Sequence, residues 1–271
     1  MNKSPRRNID EFEFKPAPTF DDHAYGPVDS RRLGRSLGIN LLGTDLKICN
    51  FDCPYCELGT TKIKISQIKK HAQFPSLELV EASLRGKILK LPQSKLKIDY
   101  ITISGNGEPT LYPDFPGAVS LIKRIRDQLL PSSRLTVLTN GSTLGDAQIV
   151  KALNHCDERM MKLDAGNDEM LTKVASPLIR TNLSKLIQGA RVLKDTILQS
   201  MFIQGSVDNT HPDHIDEWIE VVGLIKPKLV HICSIDRPPA ISSLSPVPRQ
   251  RLKEISLLLE KKTKVPSLIF S

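Results

Sequence analysis

Short apolar runs alternate with longer amphipathic stretches along most of this chain. Residues 98–104 (IDYITIS) are rich in β-branched side chains and predict a strand. Residues 36–42 (SLGINLL), 135–139 (LTVLT), 159–163 (RMMKL), 196–203 and 229–235 read the same way. Between them lie helical periods. Residues 77–91 predict a helix with Ser76 as its N-cap. Residues 116–130 place Ala118, Leu121, Ile122, Ile125 and Leu129 on one face. Residues 146–154 predict a helix, and the next carries Leu183, Leu186, Ile187, Ala190 and Leu193 on one stripe. Residues 211–225 turn Ile215, Trp218, Ile219 and Val222 inward, and residues 249–261 form a closing helix.

Strands alternating with helices of this length imply a parallel sheet with right-handed crossovers. Six such units are too few to close an eight-stranded barrel. The expected fold is therefore α/β, a partial (βα)6 TIM-like barrel with parallel strands and outer helices. Its active site belongs at the C-terminal strand ends. Residues 1–25, with Pro5, Pro16 and Pro18 and no periodicity, predict an N-terminal extended arm. No Gly/Ser-rich or charge-block linker interrupts residues 26–271, which predicts one domain there.

No apolar run approaches the ~18 residues of a membrane span, and the N-terminus lacks the apolar core of a signal peptide. A soluble, cytoplasmic protein is expected. The formal net charge of +8 is spread over short basic clusters at Arg6-Arg7, Arg31-Arg32 and residues 62–70, 123–126 and 261–264. Such a surface permits binding to RNA through its phosphates, and equally suits a plain solvated exterior.

Five cysteines in 271 residues do not make a disulfide scaffold, but three of them fall within eight residues. Cys49, Cys53 and Cys56 have the spacing C-x3-C-x2-C, just after the first predicted strand. Thiolates suit iron–sulfur clusters, zinc or copper(I). A closed structural site wants four ligands and this loop offers three, with the nearest histidine, His71, fifteen residues further on. Three ligands leave a metal position open to substrate. Zinc completed by a distant fourth ligand, in a non-catalytic RNA-binding protein, is the alternative.

The cysteine spacing, with Tyr55 before the last cysteine, resembles the radical S-adenosylmethionine (radical SAM) superfamily. That resemblance implies a 4Fe-4S cluster with three cysteine ligands and a fourth iron open to S-adenosylmethionine. It also implies reductive cleavage to a 5′-deoxyadenosyl radical, with flavodoxin or ferredoxin as reductant. Gly105-Asn106-Gly107-Glu108-Pro109, following IDYITIS directly, is similar to the family's glycine-glycine-glutamate-proline motif, with Asn106 as a departure. Glycines let backbone approach a ligand, and a carboxylate or carbonyl there can hold the methionyl ammonium. Asn140 ends the third strand, Lys162 and Asp164 share a face at the end of the fourth, and Gln204 ends the fifth. By resemblance these contact the ribose and the methionyl carboxylate; mutual pairing of Lys162 with Asp164 is the plainer reading.

Residues 26–40, with Gly26-Pro27-Val28, Ser30-Arg31-Arg32-Leu33-Gly34 and Ser36-Leu37-Gly38-Ile39-Asn40, add a closer likeness together with Ile235-Asp236-Arg237-Pro238-Pro239. They resemble the group related to wyosine-base (imidazoline-guanine) synthases acting on tRNA. The archaeal members carry three further cysteines upstream; this chain has none before Cys49. An RNA base is thus one candidate substrate, with activation of a glycyl-radical enzyme and small-molecule chemistry beside it. Cys233 reads as a small buried hydrophobe or a hydrogen-atom donor, Cys156 as structural, His211 as a helix-start residue and Trp218 as core.

Overall fold

The computed structural model describes residues 22–62, 74–92 and 97–271. The first 21 residues of the expected arm and nearly all of the basic run at 62–70 lie outside them. Strands β1 (Ala24–Ser30) and β2 (Gly34–Asn40) form an antiparallel hairpin. From β2 the sheet continues in parallel and in chain order through β3 (Tyr100–Ser104), β4 (Arg134–Thr139), β5 (Glu158–Lys162), β6 (Ile197–Gly205) and β7 (Leu229–Ser234). Strand β8 (Leu244–Pro246) runs antiparallel to the end of β6, and β9 (Ser267–Phe270) lies parallel to β7. The edges β1 and β9 do not pair, so the barrel is open.

Each crossover carries helix: α1 (Leu77–Leu89), α2 (Phe115–Leu129), α3 (Ala147–Asn154), α4 (Asp168–Ala175), α5 (Leu183–Val192), α6 (Pro212–Ile225) and α7 (Arg249–Thr263). The first five begin at Ser76, Asp114, Asp146, Asn167 and Asn182, whose side chains each accept a backbone N–H of the first turn. Alternation along the strands splits the sheet into two faces. Leu37, Ile39, Ile101, Ile103, Leu135, Val137, Phe202 and Val230 join the helices' Leu84, Ile122, Trp218 and Leu252 in the main core. On the other face Leu33, Met160 and Ile197 are buried together, with Leu138 and Leu229 packed on them. Polar residues follow on that inner face, where the Ser36 and Thr102 hydroxyls lie 2.6 Å apart.

The six strand–helix units match the expected partial barrel. The pattern misses β1, β8, β9 and α4. Strand β1 contains Gly26 and Pro27 within seven residues, β8 and β9 are three and four residues long, and α4 is eight. The short strands show no period, and β1 takes in Ala24 and Tyr25 of the expected arm; α4 is no shorter than α3, and its Met170, Leu171, Val174 and Ala175 do carry a helical period. Among the described residues no helix is long and apolar enough to cross a membrane.

Candidate functional site

The cysteine loop leaves β2 and is clamped on both sides by backbone. On one side the Ile48 N–H donates to Asn106 O at 2.8 Å, and the Glu108 N–H donates back to Ile48 O at 3.0 Å. A Cβ on Gly107 would lie 1.9 Å from Ile48 O, and Gly107 has φ of +139°; only glycine fits. On the other side the Asp52 N–H donates to Ser176 O at 2.9 Å and the Leu178 N–H to Asn50 O at 2.9 Å. Two turns order the rest, from the Cys56 N–H to Cys53 O and from the Gly59 N–H to Cys56 O. All three cysteines are free and partly accessible.

Asn106, expected as a departure, is fully buried and works as a staple. Its side-chain amide donates to Gly43 O at 2.9 Å, and its N–H donates to Asn40 Oδ1 at 3.2 Å. Gly105 has φ of +132°, and a Cβ there would lie 2.5 Å from that same Asn40 oxygen. These contacts fasten the ends of β2 and β3 to each other.

The Glu108 carboxylate is buried and occupied by the protein itself. Oε1 accepts from the Thr110 N–H at 3.2 Å, the Thr110 hydroxyl at 2.6 Å and the Thr139 hydroxyl at 2.8 Å; Oε2 accepts from the Asn140 N–H at 2.6 Å. Burial pushes its pKa above the usual carboxylate range, against the pull of those hydrogen bonds. Glu108 thereby knits β3 to β4. Asn140 then reaches the cysteine loop, donating from Nδ2 to Asn50 Oδ1 at 2.8 Å with Cys49 Sγ at 3.8 Å.

At the end of β5, Lys162 Nζ lies 3.2 Å from Asp164 Oδ1, the mutual pairing that alternation allows. Tyr55 joins them: its hydroxyl donates to Asp164 Oδ2, and its ring carries the Lys162 ammonium 4.6 Å from the centroid. The Met201 N–H donates to Asp164 Oδ1 at 2.7 Å. Phe51, Cys53, Tyr55, Asn140, Leu163 and Leu171 line a small, mostly apolar cleft beside this group. Burial raises the Cys53 thiol to about 12, with Asp164 adding to it; burial also raises the Cys49 thiol, helped by Cys53 and Glu108. Deprotonating them calls for a strong compensating positive charge, as a metal supplies.

Gln204 stands apart from this group. It has the parity of Ser200 and Phe202, which touch Trp218 of α6, and its amide donates to Thr210 Oγ1 at 3.2 Å. Sequence reasoning missed Lys47, Asn50 and Ser142. Lys47 is 6% exposed; its Nζ donates to Gly59 O at 2.6 Å and lies 3.5 Å from Asp52 Oδ1. Burial opposes its charge, but Cys56, Cys49, Asp52 and Cys53 outweigh that and hold its pKa up. Asn50 donates to the Ser142 hydroxyl at 2.7 Å. A lysine between Leu46 and Ile48 was the available sign of a buried cation.

The segments 26–40 and 235–239 meet beside the loop. Arg31 pairs with Asp236 at 2.7 Å and Arg237 with Glu57 at 2.7 Å, while Arg32 Nη1 reaches Cys233 Sγ at 3.8 Å. Cys233 and Cys156 are both buried.

Residues 45–198, cysteine loop included, match the family described as the Radical SAM superfamily. The chain belongs to the radical SAM superfamily. A UPF0026 protein of Synechocystis sp. is 30% identical over 219 residues, covering 79% of this chain and 76% of that protein. A Brachyspira hyodysenteriae protein named GTPase Obg is 32% identical over 219 residues, of which this chain spans only 30%. Among solved structures, TYW1 with a lysine-pyruvate adduct bound superposes with a TM-score of 0.61 at 14% identity, covering 84% of this chain and 74% of that one. A radical SAM methyltransferase from Sphaerobacter thermophilus gives 0.64 at 15% identity, covering 87% and 65%. At these identities the structural likeness is one of fold. Members of the superfamily generally bind a 4Fe-4S cluster and S-adenosylmethionine and draw an electron from an external reductant.

Proposed function

We propose that Cys49, Cys53 and Cys56 hold a 4Fe-4S cluster whose fourth iron takes S-adenosylmethionine, and that the chain is an enzyme of radical chemistry. The observation that carries this is the cysteine loop, held by backbone hydrogen bonds against Gly107 and Glu108 and offering three thiols. The donor set fits. Among the described residues no three His, Cys, Asp or Glu side chains converge closely enough to hold one ion, as zinc requires. In a cubane each thiolate binds a different iron, so the three need not converge.

When bound, the cluster and S-adenosylmethionine supply one-electron cleavage to a 5′-deoxyadenosyl radical that takes hydrogen from substrate. The residues of the chain bind, orient and keep water out. Tyr55 and Asn140 border the small apolar cleft, and Lys162 with Asp164 offers charge at its edge. The Glu108 carboxylate is occupied by four protein donors, and the carbonyls of Gly105, Asn106 and Glu108 accept the N–H groups of Gly107, Ile48 and Leu111, so the Gly107 carbonyl would be the one to receive an ammonium. The likeness of residues 26–40 and 235–239 to tRNA-modifying enzymes supports an RNA base as substrate; Lys64, Lys69 and Lys70, which would meet its phosphates, lie outside the described residues.

Anaerobically purified protein should carry iron and absorb at the blue end of the spectrum. Cys49→Ala, Cys53→Ala and Cys56→Ala should each lose most of that iron, whereas Cys156→Ala and Cys233→Ala keep it. Reduced wild type supplied with S-adenosylmethionine should release 5′-deoxyadenosine. Equal iron in wild type and Cys53→Ala would end this reading.

A further inference from the structure

Lys47 is the only lysine buried among the described residues. An ammonium out of water is costly unless charge and hydrogen bonds compensate it. Its bond to Gly59 O joins two residues twelve apart, and all three cysteines lie between them. The ammonium therefore sits within the ring of backbone that presents the thiols. Its near counter-charge is Asp52, whose Oδ1 is 3.5 Å away and also accepts the Thr61 N–H at 2.7 Å. Asp52 keeps about a quarter of its side chain in water, whereas Lys47 keeps almost none. Capping one carbonyl needs only a neutral donor. A full charge at this depth calls for another explanation.

We propose that Lys47 is a positioning charge that raises the reduction potential of the cluster held by Cys49, Cys53 and Cys56, with Asp52 as its opposing partner. The inference rests on the cluster reading above. Reduction brings one electron from an external reductant to a centre that three thiolates already make anionic, and no bond forms or breaks. A buried cation favours the reduced form over the oxidised one, and an anion favours the oxidised form. Both act strongly where water screens little, and the potential of such clusters follows local charge, hydrogen bonding and exposure. Lys47 thus eases entry of the electron and Asp52 limits the effect.

The test is a potentiometric titration of the anaerobic holoprotein, followed by electron paramagnetic resonance of the reduced cluster, with iron content measured in parallel. In Lys47→Met the ratio of reduced to oxidised cluster at a fixed potential should fall at least tenfold, a 59 mV downward shift for one electron. Lys47→Arg should stay near wild type. Asp52→Asn keeps its acceptor oxygen for Thr61 and loses only charge, so its midpoint should move upward. Lys47→Met with full iron and the wild-type midpoint overturns the proposal, leaving Lys47 as a cap on Gly59. If Lys47→Met binds no iron, Asp52→Asn decides, and an unchanged or lowered midpoint overturns it. Wild type without iron overturns the cluster reading and this role together.

Discussion

At Gly107 two loops touch through backbone alone, and the site depends on that contact. Gly107→Ala would set a methyl carbon 1.9 Å from Ile48 O at a φ that side chains avoid. The strain alone costs about 1–3 kcal/mol, and the loop with Cys49 must move besides. The variant should unfold earlier and purify with much less iron. Gly86→Ala is the control: it lies within α1 with nothing inside 4 Å of its new Cβ. There alanine should add roughly 0.4–1 kcal/mol of stability and leave iron unchanged. Matching iron contents in the two variants would show that Gly107 is only a turn. The three cysteines and Gly107 were legible because spacing in the chain carries their meaning. Asn50 and Ser142 were not, since they are 92 residues apart in sequence and only the fold brings them to 2.7 Å. Glu108 was legible as the acidic residue after the glycines but not in its occupation, because two of its four donors come from Thr139 and Asn140 at the end of the next strand.

Among the elements, α6 and β6 hold the Lys162–Asp164 corner from behind. Trp218 is 1% exposed; its indole N–H is shared between Leu163 O at 3.2 Å and Ser200 Oγ at 3.1 Å, and its ring meets Phe202 edge-on at 5.0 Å. Trp218→Phe keeps an aromatic ring but loses the donor and leaves a void beside the residue preceding Asp164. A cost of about 1–3 kcal/mol follows, seen as a drop in Tm of a few degrees. An unchanged Tm would place the stability of this corner elsewhere. The period of α6 was readable because its buried positions recur over fourteen residues. Helix α4 is as long as α3 and as periodic, with Met170, Leu171, Val174 and Ala175 buried, and its C-cap Ser176 O receives the Asp52 N–H of the cysteine loop. Gln204 hydrogen-bonds Thr210 and not the Lys162–Asp164 pair. Its position at a strand end was legible, but which face it takes depends on parity counted from packed neighbours such as Phe202.

Across the whole molecule, the β1–β2 turn reaches the segment that follows β7. The Arg31–Asp236 pair spans them with both side chains half exposed, so it contributes about 1 kcal/mol or less. The inner face of β7 is more consequential. His231 is 3% exposed, its Nδ1 has no hydrogen-bond partner, and its ring stands 4.8 Å from Phe270 of β9. Burial, and then the Arg32 guanidinium from the hairpin turn, lower its pKa from 6.5 to about 4. The unfolded chain thus takes up a proton at a pH where the folded one still refuses it. Stability from this group is complete above pH 6.5 and is lost as pH falls from there to about 4. Below that the deficit stays constant. The slope is at most about 1.4 kcal/mol per pH unit, and the total is at most about 3 kcal/mol. His231→Phe keeps a ring against Phe270, gives up no hydrogen bond at Nδ1 and removes the titration. Urea unfolding of both proteins at pH 7, 5.5 and 4.5 should show wild type losing more stability than His231→Phe across that interval. Parallel losses would mean that His231 takes up its proton in the fold, through a rearrangement that opens the β7–β9 edge to water.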